Sequence, residues 1–429
     1  MNKKIIERTI FKELVNHLSK QEITLLLGAR QTGKTTLLKE LEQFLITNKK
    51  IAKENIFYFN LDILSDLEKF QNQTDLINFL KEQIKDKQKI YILVDEAQKV
   101  NNPGMFFKGI YDLGLPVKLI LTGSASLEIK AKIIESMSGR KRIFKVFPFS
   151  FEEFLKTKKD NKFLIKTLSL KSRSKISSNQ LKEYLFEYLN YGGYPMVALA
   201  KSAEEKRRTL DEIFSSFVEK DIIGLLGIDT QESFGLVNLL TLLTHQIGSL
   251  INLEEISSTL KLKRKTIERF IYYLEETFVV KRLTPFYTNI RKEVTKMPKI
   301  YFLDLGIKNF CQKIFQDFLI RQDRGQLLEN YVFLELYQNL GYLYKLHFWR
   351  TQDKSEVDFI LRSGDKIIPI EVKTKSMERP EIPRSLRNFI KRHEIKKAFV
   401  VNLAYTGKIQ IEKAEVEFLL PFEVKKIFF

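Results

Sequence analysis

Residues 22–38 read EITLLLGARQTGKTTLL, from Glu22 to Leu38. The apolar run Ile23–Leu27 has the composition of a buried strand. Gly28-Ala29-Arg30-Gln31-Thr32-Gly33-Lys34-Thr35 matches the pattern GxxxxGK[ST] in full, and Leu37, Leu38, Leu41 and Leu45 follow at helical spacing. A strand, a glycine-bearing loop and a helix in that order form the context of a phosphate-binding loop. Gly28 and Gly33 are expected to let the backbone bend so that successive N–H groups point inward at a phosphate, with the positive end of the helix dipole behind them. In that reading Lys34 reaches the β- and γ-phosphates of ATP, the Thr35 hydroxyl joins the shell of a Mg²⁺ ion, and Arg30, Gln31, Thr32 and Thr36 line the same site.

The run Ile90-Tyr91-Ile92-Leu93-Val94 ends in Asp95-Glu96. Unbroken apolarity fits a strand covered on both faces, as in a parallel sheet. Asp95 is then placed to hold the Mg²⁺ shell and Glu96 to polarise the attacking water. Further strands are expected at 56–62, 117–121 and 143–146, with a helix over 3–18 and another over 74–85, so this part reads as a parallel α/β sheet with ligands at the strands' C-terminal ends. At the end of the fourth strand, Ser124 or Thr122 is a candidate γ-phosphate sensor; the alternative is helix N-capping by Ser124 or Ser126. Arg140, after Ser138-Gly139, is a candidate arginine finger for a neighbouring subunit's nucleotide, or one cation of an ordinary basic surface with Lys141 and Arg142.

With 429 residues the chain is long enough for several domains, and 44% hydrophobic residues exclude wholesale disorder. Its 72 Lys and Arg against 53 Asp and Glu give a net charge of +19. That excess favours a polyanionic partner, DNA first, unless it is a general lysine-rich bias of the sequence. The single cysteine excludes an intrachain disulfide framework and a cysteine zinc site, and fits a cytoplasmic protein. The N-terminal stretch does not read as a signal peptide, and no run is long and apolar enough for a membrane span.

Phe147–Phe154 closes the first domain. Residues 156–178 are Lys/Ser-rich with weak periodicity and read as a surface insertion or linker. Helices follow on either side of Tyr191-Gly192-Gly193-Tyr194-Pro195. Residues 232–286 read as a winged helix: helices at 236–243, 253–260 (capped by Asn252) and 263–276, then a wing strand at 278–283. The third helix is basic on its outer side through Lys263, Arg264, Lys265 and Arg269, as groove binding needs, although such a module also serves for packing alone.

A second constellation begins near Arg324. Leu328, Val332 and Leu336 form a helical apolar stripe with Glu329 on the same side, a costly place for an acid that nothing engages. Ser355–Leu361 and Ile367–Lys373 read as two strands of a hairpin turning at Gly364. Glu371 and Lys373, two apart in a strand, share a face. Helix-Glu, strand-Asp, turn, strand Glu-x-Lys is the pattern of PD-(D/E)XK nucleases. Asp358 and Glu371 would bind Mg²⁺, Lys373 would orient water or stabilise charge on phosphorus, and Glu329 is a candidate to complete the site. The structural alternative keeps the fold and makes these carboxylates the partners of an ion or of Arg350.

The stretches LLLGARQTGKTTLL, YILVDEAQ, LILTGSAS, SGR with FPFSFEEF, YGGYP, LEETFVVKRLTPF, PKIYFLDLGI, and GQLLENYVFLEL with EVDFIL and IEVK together resemble one group. It is the bacterial and archaeal AAA-type ATPases with a C-terminal domain of unknown function related to restriction endonucleases. The resemblance implies an AAA-type P-loop ATPase domain (1–155), a helical lid or linker (156–230), a winged helix (231–290) and an α/β nuclease-like domain (291–429). The expected function is Mg²⁺-dependent ATP hydrolysis near DNA, in a chain able to form homo-oligomers. The competing expectation is an ATP-driven signalling or scaffolding switch whose C-terminal domain only binds.

Overall fold

The computed structural model describes residues 5–84, 88–124, 137–169, 175–217, 230–287, 296–375, 377 and 379–428. The chain divides into two compact units, one built on residues 1–148 with two short later segments, the other on residues 149–215, 228–275 and 279–429.

In the first unit α1 (Phe11–His17) precedes β1 (Ile23–Gly28) and α2 (Lys34–Thr47). Then come β2 (Ile56–Asn60), α3 (Leu64–Glu68), α4 (Gln73–Gln83), β3 (Ile90–Asp95), α5 (Pro103–Asp112), β4 (Val117–Ser124) and β5 (Lys141–Lys145). The five strands form one sheet in the order β2-β3-β4-β1-β5, every neighbouring pair parallel. β1 and β3 are buried at every position, which is why both read as unbroken apolar runs. One core lies between the sheet and α4 and α5, the other under α1 and α2. The amphipathic helix expected over 3–18 is limited to the seven residues of α1; Leu14 and Leu18 are buried while Ile5 stays largely exposed. Residues 5–8 lie outside any regular element; Ile6 is buried, and Arg8 ties the segment down through Thr32 O and Phe147 O.

The second unit opens with α6 (Phe151–Leu155), which starts on a capping box between Ser150 and Glu153. α7 (Asn161–Ser169) and α8 (Lys175–Tyr191) follow, so most of the stretch expected as a linker is helical, with Leu164 and Thr167 buried. After α9 (Pro195–Leu199) and α10 (Ala203–Ser216) come α11 (Thr230–His245), α12 (Leu253–Leu260) and α13 (Arg264–Glu276). β6 (Val280–Leu283) pairs antiparallel with β7 (Lys299–Phe302), and Leu250 bridges to Lys299 on the other side of β7. Asn252 caps α12 through the N–H groups of Glu254 and Glu255, as its sequence position predicts.

α14 (Leu305–Gln312) and α15 (Arg324–Gln338) lead into β8 (Lys345–Arg350), β9 (Glu356–Ser363) and β10 (Lys366–Lys373), then α16 (Arg384–Arg392), β11 (Lys397–Asn402), β12 (Gly407–Ile411) and β13 (Ala414–Leu419). This sheet runs β12-β13-β11-β10-β9-β8. β8, β9 and β10 are antiparallel, while β10, β11 and β13 are parallel. Beyond β6 the chain continues along the edge of β8: Phe286 N–H donates to Phe348 O at 2.5 Å, and Pro285 bridges to Phe348. This junction brings β7 beside the first strands of the larger sheet. No helix among the described residues is long and apolar enough to cross a membrane.

Candidate functional site

The parallel sheet collects the first set of residues at one edge. Gly28 is level with Ser124 and Asn60 with Asp95 in the strand registers. β4 alone separates β3 from β1, so Asp95, level with Thr122 and Leu26, lies two strand spacings (about 10 Å) across the sheet from β1 and two residues short of Gly28. Gln31 and Gly33 take left-handed φ values of 60° and 95°, the alternation that turns successive N–H groups into a concave anion cradle. Gly28 acts differently from the expected bend. Its φ is not left-handed, and a Cβ there would sit 2.1 Å from the Val146 carbonyl oxygen, so glycine is required by the close approach of the next strand.

Lys34 is buried, and its ammonium donates to Gly28 O at 3.0 Å and Ala29 O at 2.8 Å, which holds the charge over the loop. Thr32 closes the loop by donating to Ala29 O at 2.9 Å. Thr35 is half-buried in the first turn of α2; Arg30 is half-buried, and Gln31 and Thr36 are exposed. Arg8 braces the loop from outside, donating to Thr32 O at 2.8 Å and Phe147 O at 2.7 Å. A lone arginine in a mixed basic stretch gave no sequence signal for that task.

Asp95 is 2% exposed. It accepts from the Thr122 hydroxyl and, at 3.3 Å, from the Tyr58 hydroxyl. Burial and the neighbouring Asp95 push the Tyr58 phenol well above its ordinary range, so it stays a donor. Thr122 also accepts the Glu96 N–H at 3.1 Å, and so links both acidic residues to β4. Glu96 has a left-handed φ of 58°, a strained setting for a non-glycine residue, and its carboxylate accepts from the Gln98 amide. Of the two sensor candidates, Thr122 is engaged with the acidic pair; the Ser124 and Ser126 side chains lie outside the described residues. These groups fit a triphosphate with a divalent ion: a cradle of N–H groups, a fixed ammonium, a hydroxyl at Thr35 and a buried carboxylate facing them across one strand.

Arg140 lies at the other end of the sheet. Lys141, which follows it, pairs with Ile23 at the start of β1, a strand's length (roughly 17 Å) from Gly28. Its guanidinium donates to Asp112 at 2.5 Å and to Ser138 O at 3.2 Å. It therefore cannot reach the phosphate loop of its own chain.

The second set of residues gathers at β9 and β10. Ile370 pairs with Phe359, so the next pair in that register is Glu371 with Asp358. Asp358 accepts the Val372 N–H at 2.7 Å, and Lys373 donates to Glu371 at 2.6 Å. The two carboxylates thus converge on one edge of the hairpin with Lys373 beside them. Burial, then Glu371 and Glu329, push Asp358 well above the usual carboxylate range. Glu371 is also raised, by burial, against the pull of Lys373. One Glu371 oxygen, Oε2, is buried with no hydrogen-bond partner, although the residue is only 3% exposed.

Glu329 projects toward this cluster from α15 but is already engaged. It accepts from Tyr301 at 2.6 Å and lies 3.5 Å from the Lys299 ammonium. Lys299, fully buried, also bonds Glu356, whose other oxygen accepts from Arg350 at 2.7 Å. Burial pulls the Lys299 pKa down, but Glu329, Asp358 and Glu356 outweigh it and hold it above the ordinary value. Gly248 fits against Glu329: a Cβ there would stand 2.7 Å from both carboxylate oxygens. Sequence reading gave no role to Lys299, Tyr301, Glu356 or Gly248: Glu356 lies in the strand read at 355–361, and nothing in the spacing of the four links them to Glu329. Among the described residues no three or more His, Cys, Asp or Glu side chains are grouped to hold a metal ion.

On the third helix of the expected winged helix, two of the four basic residues are ion-paired, while Lys263 and Lys265 are exposed. Arg264 pairs with Glu254 at 2.6 Å and Glu268 at 2.9 Å, and Arg269 pairs with Glu232.

Residues 20–155 match a family described as an AAA domain. Residues 182–317 and 324–424 match two domains of unknown function, DUF8612 and DUF4143. An uncharacterized protein of Haemophilus influenzae is 26% identical over 429 residues, covering 98% of this chain and 99% of that one. An uncharacterized protein of Methanocaldococcus jannaschii is 27% identical over 371 residues, covering 85% and 76%. Among solved structures, a DNA polymerase III gamma subunit-related protein of Thermotoga maritima aligns at 14% identity with a TM-score of 0.26, covering 62% of this chain and 99% of that one. A score that low carries no argument. The AAA match falls on the same residues that build the parallel sheet, its phosphate loop and its acidic strand end, and on that ground residues 20–155 are an AAA-type P-loop ATPase domain.

Proposed function

We propose that the chain is a Mg²⁺-dependent ATP hydrolase that works on DNA, with a C-terminal sheet that is PD-(D/E)XK nuclease-like. The observation that carries the ATPase reading is Thr122, whose hydroxyl joins Asp95 and the Glu96 backbone one strand away from the phosphate loop. Lys34 and the loop N–H groups bind the β- and γ-phosphates. Thr35 and Asp95 would hold the ion, which when bound supplies charge neutralisation at the phosphates. Glu96, fixed through Thr122 and Gln98, positions and polarises the attacking water. Arg140 serves only in trans, as a finger into a neighbouring copy's site within a homo-oligomer. Residues 1–155, 156–230, 231–290 and 291–429 act as ATPase, helical, winged-helix and nuclease-like parts.

The nuclease-like reading rests on geometry: Asp358 and Glu371 face each other across β9 and β10, Lys373 touches Glu371, and Glu371 Oε2 has no partner. A second reading, a nucleotide-driven switch whose C-terminal domain binds without cutting, is favoured by Lys299 and Tyr301 occupying Glu329. Purified protein with Mg-ATP, with and without DNA, followed for phosphate release and strand cutting, separates them. Phosphate release that Glu96→Gln abolishes supports the ATPase; release unchanged in Glu96→Gln sinks the assignment of Glu96. Cutting lost in Asp358→Ala supports the nuclease, and release without cutting favours the switch.

A further inference from the structure

α16 sits between β10, which carries Glu371 and Lys373, and β11. Its sequence is RSLRNFIKR. Leu386, Phe389 and Ile390 are buried in the core of the C-terminal sheet. Arg384, Arg387, Lys391 and Arg392 are all exposed. At 3.6 residues per turn these four cations fall within an arc of about 140° opposite the apolar residues, along about 12 Å of helix. Among the described residues none of the four makes an ion pair or a side-chain hydrogen bond.

Folding does not account for this arrangement. Arg384 and Arg387 stand in the first turn, where the helix dipole disfavours cations, and no acidic residue balances them there. The N-cap, Pro383, supplies no side-chain acceptor for the first-turn N–H groups. Uncapped N–H groups and two guanidinium groups therefore face outward together, a combination suited to phosphate oxygens. The two arginines of α13 differ: Arg264 and Arg269 are held by Glu254, Glu268 and Glu232, which leaves only Lys263 and Lys265 exposed there outside those pairs. A membrane surface fits α16 poorly, because its apolar face is already used in the core, with Leu386 and Phe389 at 0% exposure, and only charge is left to present.

We propose that the outer face of α16, through Arg384, Arg387, Lys391 and Arg392, is a docking surface for the phosphate backbone of double-stranded DNA. This rests on the nucleic-acid part of the proposed function and moves the main contact from α13 to α16. About 12 Å of duplex axis carries roughly seven phosphate charges, enough to engage all four cations without bending the DNA.

The test is fluorescence anisotropy of the full chain with a labelled 20-base-pair duplex across a salt series. The wild type is compared with Arg384→Gln/Arg387→Gln/Lys391→Gln/Arg392→Gln and with Lys263→Gln/Lys265→Gln. Losing four phosphate contacts should flatten the slope of log K against log salt by about 3.6, which corresponds to roughly a hundredfold less change in affinity between 50 and 200 mM salt. The α13 variant should flatten it by less than half as much. Matching thermal melts for the three proteins exclude misfolding; if the fourfold variant melts early, Arg387→Gln/Lys391→Gln should still flatten the slope by about 1.8. Wild-type binding with an unchanged slope in both α16 variants, or a larger loss in the α13 variant, overturns the assignment and leaves the DNA reading intact. A wild type that does not bind the duplex overturns both. Capture by phosphatidylserine vesicles without duplex binding identifies a membrane surface in its place.

Discussion

The two candidate sites use similar groups in different ways. At the phosphate loop a lysine and two acids are held mainly by backbone atoms and neutral hydroxyls: Lys34 by two loop carbonyls, Asp95 by Thr122 and Tyr58, and Glu96 by Thr122 through its own N–H. At the C-terminal sheet charge is held by charge. Lys299 from β7 faces Glu329 from α15 and Glu356 from β9, beside the Asp358–Glu371 pair. A site built on backbone tolerates loss of a charged side chain, because the loop closes without it. A site built on buried ions does not, because each removal strands a partner.

That contrast is broken or sharpened first at Lys299. Lys299→Met keeps the length and apolar stem of the side chain but leaves Glu329 and Glu356 without their buried cation. Removing one partner of a buried ion pair costs about 3–5 kcal/mol, so the variant should melt well below the wild type in denaturant or heat. Equal stability would show that water or Arg350 already carries these carboxylates, and the comparison would fail.

Lys34→Ala should behave in the opposite way. Nucleotide affinity should fall by roughly two to three orders of magnitude, the share of several charge-assisted contacts to phosphate, with little change in the melting of the unliganded protein. Titration with a fluorescent ATP analogue and a melt of the same sample read both. A large drop in intrinsic stability would show that the Lys34 bonds to Gly28 O and Ala29 O hold the loop together. Glu96→Gln comes next in size: turnover roughly a hundredfold lower, with ATP binding retained. Turnover at the wild-type rate would shift the water-positioning role to another group, Thr122 or Gln98 being the residues already in contact.

The same contrast explains what was legible in the sequence. The phosphate loop is contiguous, and its strand and helix follow from Ile23–Leu27 and Leu37–Leu45, so the strands of the first sheet and the positions of Lys34, Thr35, Asp95 and Glu96 could be read directly. Its braces could not: Arg8 acts through backbone carbonyls, and Thr122 stood beside Ser124 as a candidate sensor, with nothing in the sequence to tie it to Asp95 and Glu96. In the second site the hairpin was readable from strand composition and the Gly364 turn, and continuing the register one step past Ile370–Phe359 sets Glu371 opposite Asp358. Glu329 was legible as an acid on an inward helix face, but its partner Lys299 on β7 and the second acid Glu356 on β9 were hidden, because only tertiary packing brings them to it. Composition also misled in residues 156–178, where lysine and serine obscured helices that bury few residues. On α13 the basic run was visible, and Glu268 stands four residues from Arg264, but the other pairing glutamates, Glu254 and Glu232, lie ten and 37 residues from their arginines.

The smallest expected effect is the most direct probe of the second site. Asp358 and Glu371 are like charges held together by the hairpin, and Glu371 Oε2 is buried without a partner. A divalent ion that binds only the folded chain raises stability by RT ln(1 + [L]/Kd), about 1.4 kcal/mol when the ion stands at ten times its dissociation constant. In nucleotide-free protein, Mn²⁺ or Mg²⁺ at millimolar concentration should therefore raise the melting temperature by a few degrees. Asp358→Ala should lose that increment while keeping ATP turnover. Glu329→Gln should keep most of it, because Glu329 already serves Tyr301 and Lys299 rather than the open oxygen of Glu371. An ion response that survives Asp358→Ala would place the bound ion elsewhere, and one lost equally in Glu329→Gln would make Glu329 a ligand after all, with Lys299 its competitor for the same carboxylate.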